Sequence, residues 1–342
     1  MPLLPQVDHQ LPLTALAPMQ DVTNLWFMQV VTLYGGPDYF FTEYFRVHES
    51  SNLKRSILRS ITENTTGKPV FAQMIGESVP DLVRTAKELC QQGAAGIDLN
   101  LGCPAPRVYR KNVGGGLLRE PETIDRILGA LRDVVSDRPF TVKMRVGFDS
   151  VAGFETLLNV VGRHGVDLVS LHGRTVQAMY GGDVDYGLIA EAVARLDCPV
   201  LANGNVFSAA RAVEVLDKTR AAGVMVGRWA IGNPWIFEQI RQALRGEAIS
   251  VVSLEAVRDY IDRLWNTPTV EDVPERARVG YMKMFLNYVA LGVDGEGRFL
   301  RESRQAQSEV EFFGVCDRFL LRGGNFGVEP LRGGDRERLV VN

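Results

Sequence analysis

The chain has 342 residues, of which 46% are hydrophobic and 23% charged, enough apolar material for one large domain and a smaller one. Its net charge of −3 carries no bulk sign of a nucleic-acid partner, which would need basic residues gathered on one face. No apolar run is long enough to cross a bilayer, and the opening MPLLPQVDHQ has neither the basic nor the apolar region of a secretory signal. The four cysteines, Cys90, Cys103, Cys198 and Cys316, form no CxxC pair, which argues against zinc and against a disulfide framework. A reduced, cytoplasmic setting is expected, with no membrane partner and no metal.

Taken in chain order, eight short apolar segments read as buried strands: residues 13–17, 39–42, 70–73, 96–99, 140–143, 168–171, 200–202 and 224–226. Amphipathic stretches lie between most of them. VPDLVRTAKELCQ at 79–91 has Pro80 near its start and Gly93 just past its end, and 121–135 and 209–216 behave likewise. Alternating buried strands and helices mean a parallel sheet, and eight units over this length predict an α/β fold of the (β/α)8 TIM-barrel type. No GxGxxG follows the first strand, which lowers the doubly wound alternative. The barrel domain is expected over 1–245, with a linker at 246–253. A small C-terminal helical domain is expected over 254–321, and a tail at 322–342, rich in glycine and mixed charge, is expected to be disordered at least in part.

Barrel enzymes place their chemistry at the C-terminal ends of the strands. Those positions here hold Pro18, Met19 and Gln20; Glu43; Gln73; Asn100 with Cys103; Lys143 with Arg145; His172; Asn203, Gly204 and Asn205; and Gly227 with Arg228. Gln73 and Asn100 suit either capping of strand-end backbone or contact with a ligand. His172 suits either a hydrogen-bonded core or a site. At the seventh and eighth strands, N-G-N and G-R match the place where barrels bind phosphate on backbone N–H groups and a cation. The stretch GIDLNLGCPAPRVYRKNVGGGLLREP, residues 96–121, sets a thiol just past a strand end, beside an amide and a basic loop carrying Arg107, Arg110 and Lys111. In the C-terminal helices, Arg276, Arg278 and Lys283 suit either one basic side or an ordinary solvated face.

D-L-N-L-G-C-P at 98–104 closely resembles the signature of the tRNA-dihydrouridine synthases, flavin enzymes that reduce uridine in tRNA. The resemblance runs in separate blocks from about Leu16 to Phe237: L-A-P-M, Q-M-I-G, V-K-M-R-V-G, H-G-R-T, N-G and G-R, in order and with the right spacing. It departs at Asp21, Asn24, Met28, Ala178 and Asn205, and at Trp229, where a glycine after G-R is usual. The resemblance implies FMN held by Pro18, Met19, Gln20, Gln73, Lys143, His172, Asn203, Gly204, Asn205, Gly227 and Arg228. It implies NADPH as reductant, a monomer, and a helical domain that grips tRNA.

On this resemblance the uracil 5,6 double bond receives hydride at C6 and a proton at C5 from Cys103, a thiol mostly protonated at neutral pH. Lys143 would stand at the flavin pyrimidine edge, and Asn100, Arg107, Tyr180, Arg276, Arg278 and Lys283 would meet the RNA. Two rivals share these residues. One is an FMN barrel acting on a free pyrimidine or an enone. The other is a barrel without catalysis that binds RNA.

Overall fold

The computed structural model describes residues 4–7, 10–267 and 273–327. Its strands are β1 (Leu13–Leu16), β2 (Tyr39–Phe41), β3 (Phe45–Arg46), β4 (Val70–Ile75), β5 (Gly96–Leu101), β6 (Phe140–Arg145), β7 (Leu168–His172), β8 (Val200–Asn203) and β9 (Gly223–Val226). All pair in parallel, in the order β2-β1-β9-β8-β7-β6-β5-β4-β3, and a further β2–β4 pairing closes the sheet into a barrel. Both faces of β4 and β5 are buried throughout, as a parallel sheet between a filled interior and an outer layer requires.

Eight staves were expected, and the ninth strand is the continuation of one of them. Phe41 lies opposite Phe71 and Phe45 opposite Met74, so four steps along β2–β3 match three along β4. The extra residue is a bulge, which bends the stave and turns the Glu43 side chain into a buried position. Thr42 stitches the bulge by accepting a hydrogen bond from the Gln73 N–H at 3.1 Å.

Between the strands run α1 (Leu25–Thr32), α2 (Arg55–Thr62), α3 (Val79–Gln91), α4 (Pro106–Tyr109), α5 (Pro121–Val134), α6 (Phe154–Gly162), α7 (Tyr186–Arg195) and α8 (Ala209–Thr219). In α3, Leu82, Ala86 and Leu89 form a buried stripe at helical spacing, which seats the helix while its polar side stays wet. The expected basic loop after β5 is shorter than the sequence implies: Arg107 stands on α4, and Gly114–Arg119 winds into a 3₁₀ turn.

Inside the barrel, Ala15, Ala17, Tyr39, Phe41, Phe71, Leu168, Leu201 and Met225 form an apolar floor, with Leu4 and Val7 packed against it. Gly96 makes room for this floor, because a Cβ there would lie 2.7 Å from the Phe71 ring. Toward the C-terminal strand ends the same inward face turns polar, through Gln73, Asp98 and Thr141 to Asn100, Lys143, Arg145, His172 and Asn203.

By internal contacts the chain forms two compact units. Of the described residues, the first holds those within 1–25, 37–206 and 212–227, and the second those within 26–36, 207–211 and 228–327. The second unit therefore takes in α1, α9 (Trp229–Gly232) and α10 (Ile236–Leu244) beside α11 (Leu254–Trp265), α12 (Glu275–Val289), α13 (Arg298–Gln305) and α14 (Glu309–Leu320). The expected division at 245 falls within it, for clear reasons of packing. Phe27 of α1 meets Phe285 at 5.8 Å between ring centroids, Tyr34 meets Tyr260 at 5.7 Å, and Tyr260 donates its hydroxyl to the Ile231 carbonyl at 2.8 Å. Part of the expected tail is ordered: Phe326 is buried, its N–H bonds to the Val252 carbonyl, and Asn325 bridges Ser253. The rest of that tail, from 328 onward, lies outside the described residues.

Candidate functional site

The site is built on β5 and its neighbours. Gly96, Asp98 and Asn100 share the inward face of β5, and the strand ends where Gly102 and Pro104 force the chain to turn. Asn100 closes that turn by accepting the N–H groups of Gly102 at 3.0 Å and Cys103 at 2.9 Å. Its own Nδ2 donates to Gln73 Oε1 at 2.8 Å, and Gln73 Nε2 donates to Asp98 Oδ2 at 2.7 Å. Asp98, which the sequence reading passed over, also accepts from the Thr141 hydroxyl at 2.6 Å. Of the two readings open for Gln73 and Asn100, capping is thus realised for Asn100, and Gln73 holds Asn100.

Cys103 is partly buried on this turn, and the glycine run packs onto it. The Gly115 N–H donates to the Cys103 carbonyl at 3.3 Å, and a Cβ on Gly114 would come within 3.1 Å of the Cys103 Cβ. Burial pushes the thiol pKa above its usual 9.0, opposed by a backbone hydrogen bond at Ala105 and by the charges of Lys143, Arg145 and Arg107. The group therefore stays a thiol at neutral pH, with cations close enough to stabilise a thiolate when one forms.

Lys143 lies on β6 opposite Asn100, and its ammonium donates to Asn203 Oδ1 at 3.2 Å. Burial and the neighbouring Arg145 lower its pKa from 10.5 to about 8, against the pull of Asp98 and Cys103. Burial also raises Asp98, to about 6, the remaining causes being the Thr141 and Gln73 hydrogen bonds and Lys143, which lower it. Asn203 is held in turn by donating Nδ2 to the Met225 carbonyl at 2.8 Å.

Arg145 is buried, and its guanidinium ties the cysteine turn to the loop after β7. It donates to the carbonyls of Gly102 at 3.1 Å, Thr175 at 2.7 Å and Met179 at 2.7 Å, with its guanidinium carbon 5.8 Å from the Tyr180 ring. Tyr180 itself is 46% exposed. Buried Arg174, another residue the sequence reading did not single out, donates to the Gly182 carbonyl at 2.6 Å and to Asn205 Oδ1 at 3.3 Å. It also meets His172 Nε2 at 3.3 Å. A guanidinium can only donate, so Nε2 is the acceptor and the imidazole proton sits on Nδ1.

Gly204 has φ +115°, and a Cβ there would lie 2.8 Å from the His172 ring; Asn205 follows with φ +51°. These two positions let the backbone turn tightly beside His172. At the first strand end, Gln20 Nε2 and the Asp21 N–H both donate to Glu43 Oε2, at 2.6 and 3.0 Å, while burial raises the Glu43 pKa. Gln20 Oε1 is buried without a hydrogen-bond partner. Pro18 and Met19 adjoin it, and Met19 Sδ stands 4.0 Å from where a Gly227 Cβ would be.

Cys103, Pro18, Met19, Gln20, Gln73, Asn100, Arg107, Lys143, His172, Tyr180, Asn203, Gly204, Asn205 and Gly227 all belong to the first unit, whereas Arg228, Arg276, Arg278 and Lys283 belong to the second. The last three do not line one side of α12. Arg276, Gly280 and Lys283 share a face at helical spacing, while Arg278 turns away, stacks 4.3 Å from the Trp265 ring and donates to the Trp265 carbonyl. Trp229, the bulky residue after Gly227-Arg228, lies against Phe207 at 5.7 Å between ring centroids.

The family model described as dihydrouridine synthase (Dus) matches residues 15–286 of the chain. The chain belongs to the dihydrouridine synthase family. Among its dihydrouridine synthase relatives is a probable tRNA-dihydrouridine synthase of Rhodobacter capsulatus, 37% identical over 244 residues that cover 69% of this chain and 73% of that one. A probable tRNA-dihydrouridine synthase of Rickettsia bellii is 31% identical over 83% of this chain and 87% of its own. A tRNA-dihydrouridine(16) synthase of Haemophilus ducreyi is 29% identical over 82% and 86%. A 2-naphthoyl-CoA reductase solved with 2-naphthoyl-CoA superposes with a TM-score of 0.53 at 12% identity, over 68% of this chain and 50% of that one, which is a likeness of fold. Among the described residues no helix is long and apolar enough to cross a membrane, and no cluster of His, Cys, Asp or Glu is placed to hold a metal ion.

Proposed function

We propose that the chain is an FMN-dependent tRNA-dihydrouridine synthase, driven by NADPH, that reduces the uracil 5,6 double bond of uridine in tRNA. The observation that carries this reading is the meeting, on adjoining strand ends, of a thiol kept protonated on a clamped turn and a half-buried ammonium. The residues present fit a flavin. Lys143 offers a cation, Gln73 keeps a second amide hydrogen beyond the one given to Asp98, and the buried Gln20 Oε1 calls for a donor that a ligand N–H would supply. Pro18, Met19, Gln20, Gln73, Lys143 and Asn203 would hold the ring system, and His172, Gly204, Asn205, Gly227 and Arg228 the phosphate side. When bound, the flavin supplies the hydride for C6 of the uracil.

The chain's own part is proton delivery and placement. Cys103 Sγ gives its proton to C5, and the thiolate left behind is stabilised by Lys143, Arg145 and Arg107 until solvent reprotonates it. Arg107, on α4 just after the thiol, and Tyr180, in the loop after β7, are exposed and suited to a nucleotide turned out of the RNA. Arg276 and Lys283 supply phosphate contacts on α12, whereas Arg278 serves the fold of its own unit.

Cys103→Ala is the test. The variant should keep bound flavin and its reduction by NADPH, while uridine reduction falls by about 10²- to 10⁴-fold, the contribution of a general acid. Uridine reduction at the wild-type rate would remove Cys103 from the reaction.

A further inference from the structure

Four side chains in the barrel interior form one directed line of hydrogen bonds that ends on the cysteine turn. The Thr141 hydroxyl donates a hydrogen bond to Asp98 Oδ1, and Gln73 Nε2 donates to Asp98 Oδ2. Asn100 Nδ2 donates to Gln73 Oε1, and the N–H groups of Gly102 and Cys103 donate to Asn100 Oδ1. Thr141, Asp98 and Gln73 are fully buried, and Asn100 nearly so.

The two amides are close to symmetric in shape, so packing alone does not decide which end of each faces which neighbour. A carboxylate does decide it, because it has no hydrogen to give. With Asp98 accepting, Gln73 must present Nε2 downward and Oε1 to Asn100. Asn100 must then present Nδ2 to Gln73 and Oδ1 to the turn. Reversing either amide would set N–H against N–H in a dry interior, at the cost of an unsatisfied buried group.

We infer that Asp98 is a positioning residue for the reaction: by fixing the polarity of Gln73 and Asn100, it clamps the turn that presents Cys103. Asp98 touches neither the thiol nor any reacting atom. Its charge also lies near Lys143, so that one carboxylate serves both the orientation of the amides and the electrostatics of the ammonium above. The inference rests on the reading of Cys103 as proton donor only for its consequence in turnover.

The test reads the turn directly, as site-resolved alkylation of Cys103 by iodoacetamide in the flavin-loaded protein, with Cys90 as internal reference. Asp98→Leu removes the acceptor and should raise the Cys103 rate about tenfold, the factor expected for the loss of one buried hydrogen bond's restraint, leaving Cys90 unchanged. The paired variant Gln73→Glu/Asp98→Asn exchanges carboxylate and amide along the line. Asn at 98 accepts from Thr141 and donates to Glu at 73, which still accepts from Asn100, so the Cys103 rate should return to the wild-type value. A residue needed only for packing would not be rescued in this way.

Amide hydrogen exchange on the wild-type protein keeps the test decisive even when Asp98→Leu does not fold, since the Gly102 and Cys103 amides should be strongly protected. Exchange of both at exposed-loop rates, or a paired variant alkylated about tenfold faster than wild type, would overturn the inference. A protected turn in a protein that reduces no uridine would instead refute the proposed reaction and leave the clamp standing.

Discussion

Lys143 keeps its ammonium in a poorly hydrated place, and that has a pH signature. Its pKa in the folded chain, about 8, lies below the ordinary 10.5 because burial penalises the charge. Between those two values the unfolded chain holds the proton and the folded chain does not. The penalty on stability is therefore present below pH 8 and relieved as pH rises from 8 to 10.5. For an anionic ligand edge the sign is opposite, since attraction needs the proton. FMN binding to the apoprotein should weaken above pH 8, by up to about tenfold per pH unit, and Lys143→Met should flatten that dependence. Fluorescence titration of flavin across pH 6.5–9.5 reads both, and an affinity unchanged through that range in the wild type would contradict the role given to Lys143.

Burial moves the Cys103 thiol the other way, above the ordinary thiol range, so it favours the protonated form where Lys143 favours the neutral one. At this scale the sequence shows the thiol, the ammonium and the strand-end amides, since each sits where a strand runs out. It hides Asp98 and Arg174 as members of the site. Their importance lies in distant partners, Gln73 and Thr141 lying 25 and 43 residues from Asp98 and Asn205 lying 31 from Arg174, and no local pattern records those. The spacing of Gly96, Asp98 and Asn100 on one strand face was the available signal for Asp98.

The element that most constrains the site is the 3₁₀ turn Gly114–Arg119 lying against the cysteine turn. At Gly115 an added Cβ would stand 2.5 Å from Val176 Cγ2 and 2.8 Å from the Cys103 carbonyl, with backbone on one side unable to yield. Gly115→Ala should cost about 1–3 kcal/mol by overpacking and shift the turn it presses on. Urea unfolding should show a lower midpoint at unchanged slope, together with reduced uridine turnover, and wild-type stability would show that the contact is slack. Strand positions were legible because buried parallel strands read as short apolar runs. The β2–β3 bulge was not, because one inserted residue leaves hydrophobicity almost untouched and is visible only in the pairing of Phe41 with Phe71 and Phe45 with Met74.

For the molecule as a whole, the formal charge of −3 means that affinity for a polyanion must come from local groups such as Arg107, Arg276 and Lys283. Binding of tRNA should fall steeply with added salt, and Arg276→Ala/Lys283→Ala should reduce the slope of log affinity against log salt by about two contacts' worth. A slope unchanged in that variant, measured by filter binding, would remove α12 from the RNA contact. The barrel and its helical continuation were legible from strand–helix alternation. The division of packing was not, since α1 joins its unit through Phe27 and Tyr34, far in sequence from Phe285 and Tyr260.

The central claim is that this chain makes dihydrouridine in tRNA, and mapping that nucleoside in tRNA from cells with and without the protein tests it most directly. The account predicts at least one uridine position that is reduced only when the protein is present, restored by the wild-type chain and not by Cys103→Ala. Identical dihydrouridine profiles in the two tRNA pools would contradict it.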